Sequence, residues 1–259
     1  MNSHSTDLNV VLSCIDLTSL AASDSPQSIT DLVNRGLGIS PRPAAICVFP
    51  EFVDVVTSIL KTGPGIDFGI CTVVNFPSGN NDVAHIREET LGLLLRHTPN
   101  LEIDVVWDFE RWNSGNKERA ILPIRTVMEC IAGSACKIKV IMETSAISNV
   151  YEAACFILDS FPIGVAFLKT STGKHSTGGA TVAAAKDILA AITYKNRTQA
   201  TGLKVSGGVR TCQDALIYLE LVRRDTQWPI NSSLKNKFRI GASVLVSDIE
   251  IQRKELSTK

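Results

Sequence analysis

Two lysines each end a short apolar run and stand just before a Gly-containing turn: Lys169 in FLKTSTGK and Lys204 in GLKVSGGVR. A lysine at the mouth of a buried strand sits in a cramped, partly dry setting that disfavours the ammonium and lowers its pKa, and a second cation nearby lowers it further. An amine that is neutral near pH 7 can attack a carbonyl and form a Schiff base, a covalent route that makes a C–C bond easy to break. The turns beside the two lysines supply a second function. Thr172-Gly173-Lys174 and Gly207-Gly208 can offer backbone N–H groups, and Lys174 a point charge, to a phosphate. One lysine after an apolar strand is usually a solvated strand end. Two with similar flanks and a helix-length segment between them point to amine chemistry on a sugar phosphate.

The elements that would position these lysines are legible as alternation. Short apolar runs recur at Val10–Ile15, Ala44–Phe49, Phe68–Val74, Ile103–Trp107, Ile138–Met142, Val165–Leu168, Gly202–Val205 and Phe238–Ala242. Runs of that length, apolar on both faces, predict parallel strands covered on each side. Helical spacing fills Asp24–Leu37, Glu51–Lys61, Asp82–Arg96, Glu118–Ile131, Val150–Leu158, Thr181–Thr193, Cys212–Arg224 and Val244–Arg253. Eight strand–helix units without a composition shift predict an α/β fold, a single (β/α)8 barrel domain over 1–259, with a short N-terminal extension (1–8) and a C-terminal tail (about 254–259). Asp225–Lys237 reads as a surface loop. In such a barrel, chemistry belongs at the C-terminal ends of the strands, where both lysines fall.

Composition removes other classes. The 259 residues carry 26 Lys and Arg against 26 Asp and Glu, so no bulk charge draws the chain to nucleic acid or an anionic membrane. Seven cysteines without CxxC spacing read as buried thiols in a reducing compartment, and four histidines without paired spacing argue against a zinc site. No metal or cofactor is expected. The N-terminus lacks a basic region followed by an apolar stretch, and no run reaches the roughly 18 residues of a membrane span, so a cytoplasmic, soluble protein is expected.

Read in order, the strand ends give Asp16 in CIDLT, Cys47 in AICVFP, Asn75 in VVNFPSG, Asp104 in EIDVVW, Glu143 in VIMET, Lys169, Lys204 and Gly241 in IGAS. Together they resemble the deoxyribose-phosphate aldolases, class I Schiff-base enzymes on a (β/α)8 barrel, from about Leu12 to about Leu245. The resemblance implies that Lys169 attacks the C1 aldehyde of 2-deoxyribose 5-phosphate, that Lys204 keeps it poised, and that Asp104 acts as acid and base through a water. It implies that Asp16 helps hold the lysine pair, although an Asp before Leu17-Thr18 is equally read as a turn cap. Gly173, Lys174, Gly207, Gly208 and Ser243 match the phosphate loops. Thr18, Cys47 and Thr172 fall in the substrate pocket, where Cys47 has the plain alternative of a small buried hydrophobe. The implied reaction yields glyceraldehyde 3-phosphate and acetaldehyde in deoxynucleoside catabolism, and a homodimer is a further expectation.

Two departures weaken the match. Ser243 is followed by Val244 where many members have a second serine, and the chain ends IQRKELSTK where well-studied members have a tail tyrosine that assists proton transfer. Reduced activity is therefore expected. Two other readings stay open: a barrel of this family that acts mainly by binding, for example to a cytoskeletal filament, and a Schiff-base aldolase for another phosphorylated aldehyde. The WDFERW segment, with Trp107 and Trp112, either packs at the barrel mouth, reshapes the site or forms a binding surface.

Overall fold

Strands apolar on both faces have to be covered on both faces, and here the chain does so by closing the sheet on itself. The computed structural model describes residues 3–62 and 68–257. Eight parallel strands, β1 (Ile15–Thr18), β2 (Ala45–Val48), β3 (Gly69–Val74), β4 (Leu101–Val106), β5 (Lys137–Ile141), β6 (Val165–Lys169), β7 (Gly202–Ser206) and β8 (Phe238–Ala242), form a closed barrel in sequence order. Pairing of Asp16 with Gly241 joins β1 to β8. The helices are α1 (Ser3–Ser13), α2 (Pro26–Gly38), α3 (Val53–Thr62), α4 (Val83–Leu94), α5 (Phe109–Asn113), α6 (Lys117–Ala120), α7 (Leu122–Ile131), α8 (Val150–Ser160), α9 (Val182–Tyr194), α10 (Cys212–Asp225) and α11 (Leu245–Ser257), with short 3-10 turns at Pro50–Phe52, Thr144–Ala146 and Ser232–Asn236. The chain is a (β/α)8 barrel in a single domain.

The structure corrects three boundaries. Val10, Val11 and Leu12 belong to α1, and the first strand starts at Ile15. Leu8, Val11 and Leu12 are fully buried, an i, i+3, i+4 face hidden inside a continuous apolar run. The predicted helix over 118–131 is two helices, because Pro123 in the first turn of α7 has no N–H to continue the preceding turn. Within 225–237, Trp228 and Leu234 are buried, Trp228 donating from Nε1 to the Thr198 carbonyl at 3.0 Å, so this segment packs onto the barrel. Of the expected terminal extensions, residues 1–2 and 258–259 lie outside the described residues. Ser3–Ser13 and 254–257 are helical.

The segment after β4 turns inward. Trp107 is fully buried and donates from Nε1 to the Met142 carbonyl at 2.8 Å, while Trp112 packs between Trp107 and Phe156 with ring centroids 5.3 Å from each. These tryptophans brace β4 against β5 and α8. Gly79 fits against the same segment: its φ is +79°, and a Cβ there would meet the Trp107 carbonyl oxygen at 2.3 Å. Gly79→Ala is expected to cost about 2 kcal/mol or more through backbone strain and that contact, lowering the thermal midpoint by about 4–8 °C. Circular dichroism melting checks it, and an unchanged midpoint would show that the turn yields freely.

Candidate active site

Side chains alternate along a strand, so in a barrel every second residue points inside. The sequence LEIDVV thus turns Glu102 and Asp104 inward, KIKVI turns Lys139, VAFLK turns Lys169, GLKVS turns Lys204 and FRIGA turns Arg239, with apolar neighbours facing the helices. All six charged side chains are buried, as is Asp16 on β1. The other side of the interior is different. Ala45 and Cys47 of β2 and Cys71 and Val73 of β3 form a small apolar cluster capped by Leu20, Phe49 and Phe76.

Register sets the contacts. Lys169 and Lys204 are paired across β6 and β7, and Asp104 is paired with Lys139 across β4 and β5. Asp104 is the hub of the cluster: its Oδ2 accepts from Lys169 Nζ and Lys204 Nζ, each at 2.8 Å, and its Oδ1 from Lys139 Nζ at 2.9 Å and the Cys71 thiol at 3.1 Å. Below it, Lys204 also reaches Asp16 Oδ2 at 2.5 Å, and Arg239 bridges Asp16 at 2.5 Å and Glu102 at 3.1 Å. Lys139 reaches Glu102 at 2.7 Å. Asp16 is thus an ion-pair partner of Lys204 and Arg239, and caps no helix with its side chain.

These contacts outweigh burial. Burial pushes the Asp104 carboxyl up, but the ammoniums of Lys139, Lys169 and Lys204 hold it well below the usual carboxylate range. Burial pushes Lys204 down, and the carboxylates of Asp104 and Asp16 more than reverse this, so it stays an ammonium. For Lys204 this overturns the expectation that a dry strand end lowers a lysine. Lys139 is raised well above its ordinary value against the pull of burial, by Asp104 and then by Cys71, Glu102 and Asp16. The cluster holds three carboxylates, Asp16, Glu102 and Asp104, against four basic side chains, Lys139, Lys169, Lys204 and Arg239. One amine can therefore lose its proton and leave the buried set neutral.

Above the cluster opens a cavity of about 310 Å³ whose floor is Lys169. Its walls hold Gly173, Lys174, Gly207, Gly208 and Ser243. Thr18 and Thr172 also face it, as does Val244, which is 59% exposed. Lys204, Asp104 and Asp16 lie beneath and are not part of its lining. Cys47 is buried in the apolar cluster beside Cys71 and is not among the residues that line the cavity, although Leu20 of that cluster is. Ser171 Oγ donates to the Ser206 carbonyl and Ser206 Oγ to the Ser171 carbonyl, each at 2.5 Å, tying the β6 and β7 loops together. Gly207 has a φ of +82°, and a Cβ there would press on Gly179 and Ser171 at 2.9 Å, so the two loops meet backbone to backbone. Cys47, Cys71 and Asp104 lie close enough together to offer three metal-ligand atoms. Lys139, at 3.2 Å from Cys71 Sγ and 2.9 Å from Asp104, already occupies that position as a cation.

Sequence reasoning missed Lys139 and Arg239, which fall inside runs read as plain apolar strands, and Glu102, one residue before the run read as the fourth strand. Their signal is the inward phase they share with Asp104 and Lys204. It also missed Arg210, exposed at the cavity wall beside Val209.

No family model matches the chain. Solved structures do. A chain from Toxoplasma gondii ME49, described provisionally as a deoxyribose-phosphate aldolase, superposes with a TM-score of 0.81 at 21% identity, covering 98% of this chain and 99% of its own. The deoxyribose phosphate aldolase from Aeropyrum pernix, described as a tetramer, gives 0.72 at 19% identity, covering 97% and 96%. A Streptococcus agalactiae protein described provisionally as the copper homeostasis protein CutC gives 0.54 at 13% identity, covering 89% and 98%. What this chain shares with all three is the closed (β/α)8 fold.

Proposed function

We propose that the chain is a class I aldolase of the deoxyribose-phosphate aldolase family, cleaving 2-deoxy-D-ribose 5-phosphate to D-glyceraldehyde 3-phosphate and acetaldehyde through a Schiff base on Lys169. One observation carries the reading: Lys169 Nζ stands 2.8 Å from a buried carboxylate at the floor of a cavity walled by glycine turns, Lys174 and Arg210. An amine and candidate anion-binding groups then share one cavity, which supports reading it as the site of a sugar phosphate bound in its open-chain form. The twofold likeness, in strand-end motifs and in fold to the Toxoplasma and Aeropyrum chains, supports the family.

The free amine of Lys169 adds to the C1 aldehyde, a proton passes from nitrogen to the new oxygen to give the carbinolamine, and a second proton, drawn from solvent, lets the hydroxyl leave as water, so that an iminium remains. Asp104, held ionised, enters as the acceptor: through a water it takes the C3 hydroxyl proton while the C2–C3 electron pair flows into the iminium. Glyceraldehyde 3-phosphate departs. The enamine is protonated at C2 and water releases acetaldehyde, returning the amine. Lys204, fixed as an ammonium between Asp16 and Asp104, supplies the positive field that favours the neutral nucleophile before attack.

Borohydride trapping with 2-deoxyribose 5-phosphate, read by intact mass and peptide mapping, is expected to place one adduct on Lys169, together with release of glyceraldehyde 3-phosphate in a coupled assay. Lys169→Ala is expected to lose both. Absence of an adduct on wild-type protein would overturn the reading. A second reading, an aldolase for another phosphorylated aldehyde pair, keeps one observation in its favour, Val244 at the cavity wall. The WDFERW segment gives it less, since Trp107 and Trp112 are buried and are not among the residues that line the cavity. Screening donors and acceptors separates the two.

A further inference from the structure

Glu143 follows β5 in a conformation that non-glycine residues seldom adopt, with φ 49° and ψ 60°. It is fully buried. Its Oε2 accepts from both the backbone N–H and the hydroxyl of Thr172, at 3.1 and 2.5 Å. The Thr172 hydroxyl oxygen in turn accepts the N–H of Lys174 at 3.0 Å. One carboxyl group thus fixes three successive residues, Thr172, Gly173 and Lys174, that line the cavity. The same junction is tied by the main chain, where Thr144 N–H donates to the Thr170 carbonyl at 2.8 Å. Burying a carboxyl and twisting its backbone are both costly, and Glu143 Oε1 has no partner within hydrogen-bond reach. Simple loop closure would not require a side chain of this kind, because a backbone turn or a serine would serve.

We infer that Glu143 is a positioning residue for the phosphate group of the substrate: it sets the Thr172–Lys174 loop so that its N–H groups and the Lys174 ammonium converge on one anion. The inference rests on the sugar-phosphate reading of this cavity. It assigns Glu143 to substrate affinity and to discrimination between phosphorylated and unphosphorylated sugars, and no part in the bond-breaking at Lys169.

The test compares wild type, Glu143→Ala and Glu143→Gln on 2-deoxyribose 5-phosphate and on 2-deoxyribose, and measures the affinity of each protein for inorganic phosphate by 31P NMR. Loss of hydrogen bonds that organise a charged ligand is expected to raise KM for the phosphorylated sugar about ten- to a hundredfold in Glu143→Ala, with kcat within about threefold. Activity on 2-deoxyribose, which has no phosphate to place, is expected to fall by at least tenfold less than activity on the phosphorylated sugar. Glu143→Gln, which keeps an acceptor for Thr172, is expected to restore most of the affinity. If the alanine variant does not fold, Glu143→Asp, one methylene short of Thr172, takes its place. Equal losses on both sugars, no loss on either, or a glutamine variant as impaired as alanine would overturn the inference. Phosphate affinity separates it from the functional reading: failure of wild type to bind phosphate counts against the sugar-phosphate site itself. Tight binding that Glu143→Ala leaves intact counts against Glu143 alone.

Discussion

Asp104→Asn is expected to lower the thermal midpoint by about 6–20 °C and to reduce any aldolase turnover by at least about a hundredfold. The substitution preserves shape and removes one negative charge from the point where three ammoniums converge. Lys139, Lys169, Lys204 and Arg239 would then face only Asp16 and Glu102 inside the barrel. Removing one partner of a buried ion pair typically costs about 3–5 kcal/mol, because the charges left behind stay out of water. Thermal unfolding followed by circular dichroism, with turnover measured well below the midpoint, separates the two effects. A midpoint within about 2 °C of wild type would mean that the lysines find other compensation and that Asp104 is not the electrostatic hub.

The second large effect concerns acid. Asp16, Glu102 and Asp104 all have folded pKa values below their ordinary ones: burial raises each, and the surrounding lysines and Arg239 more than compensate. A carboxyl whose folded pKa is depressed contributes stability that is complete above its unfolded value, about 3.9 for Asp and 4.3 for Glu, and that drains away as pH falls toward the folded value. The stability these carboxylates contribute is therefore expected to be flat from about pH 5 upward and to fall steeply below pH 4. With three protons taken up on unfolding, the slope approaches about 4 kcal/mol per pH unit. Lys139 and Lys204 are shifted the other way, so their contribution is whole below about pH 10.4 and is lost only as pH rises beyond that toward their raised values. Urea midpoints between pH 2 and 7 give the slope directly. Glu102→Gln is expected to remove about one proton from it, and a wild-type slope below one proton would contradict the ion network.

The (β/α)8 barrel was legible because eight apolar runs alternated with eight helical segments, and that pattern depends only on which residues avoid water. The first unit failed locally: Val10 to Ile15 is apolar at every position but Ser13, so period 2 and period 3.6 both fit, and only the packing of Leu8, Val11 and Leu12 separates them. At the site, Lys169 and Lys204 were conspicuous because glycine turns follow them. Lys139 and Arg239 have no such marker. They sit mid-strand, and what makes them visible is a phase relation with charges on neighbouring strands, which requires the register. Asp16 shows the same limit, since a turn cap and an ion pair to Lys204 look alike until the barrel closes and brings β7 within one strand, β8, of β1.

The divided interior has an evolutionary consequence. The ionic half answers to every change, since each charge is counted against the others and a single replacement unbalances the rest. The half formed by Ala45, Cys47, Cys71 and Val73 carries small side chains and meets that machinery through Cys71, whose thiol donates to Asp104 and whose sulfur accepts from Lys139 at 3.2 Å. Volume can be added or removed at Ala45 and Val73 without altering the charge count. The two halves of one interior can therefore change at different rates, the apolar one in volume while the charges opposite keep their balance.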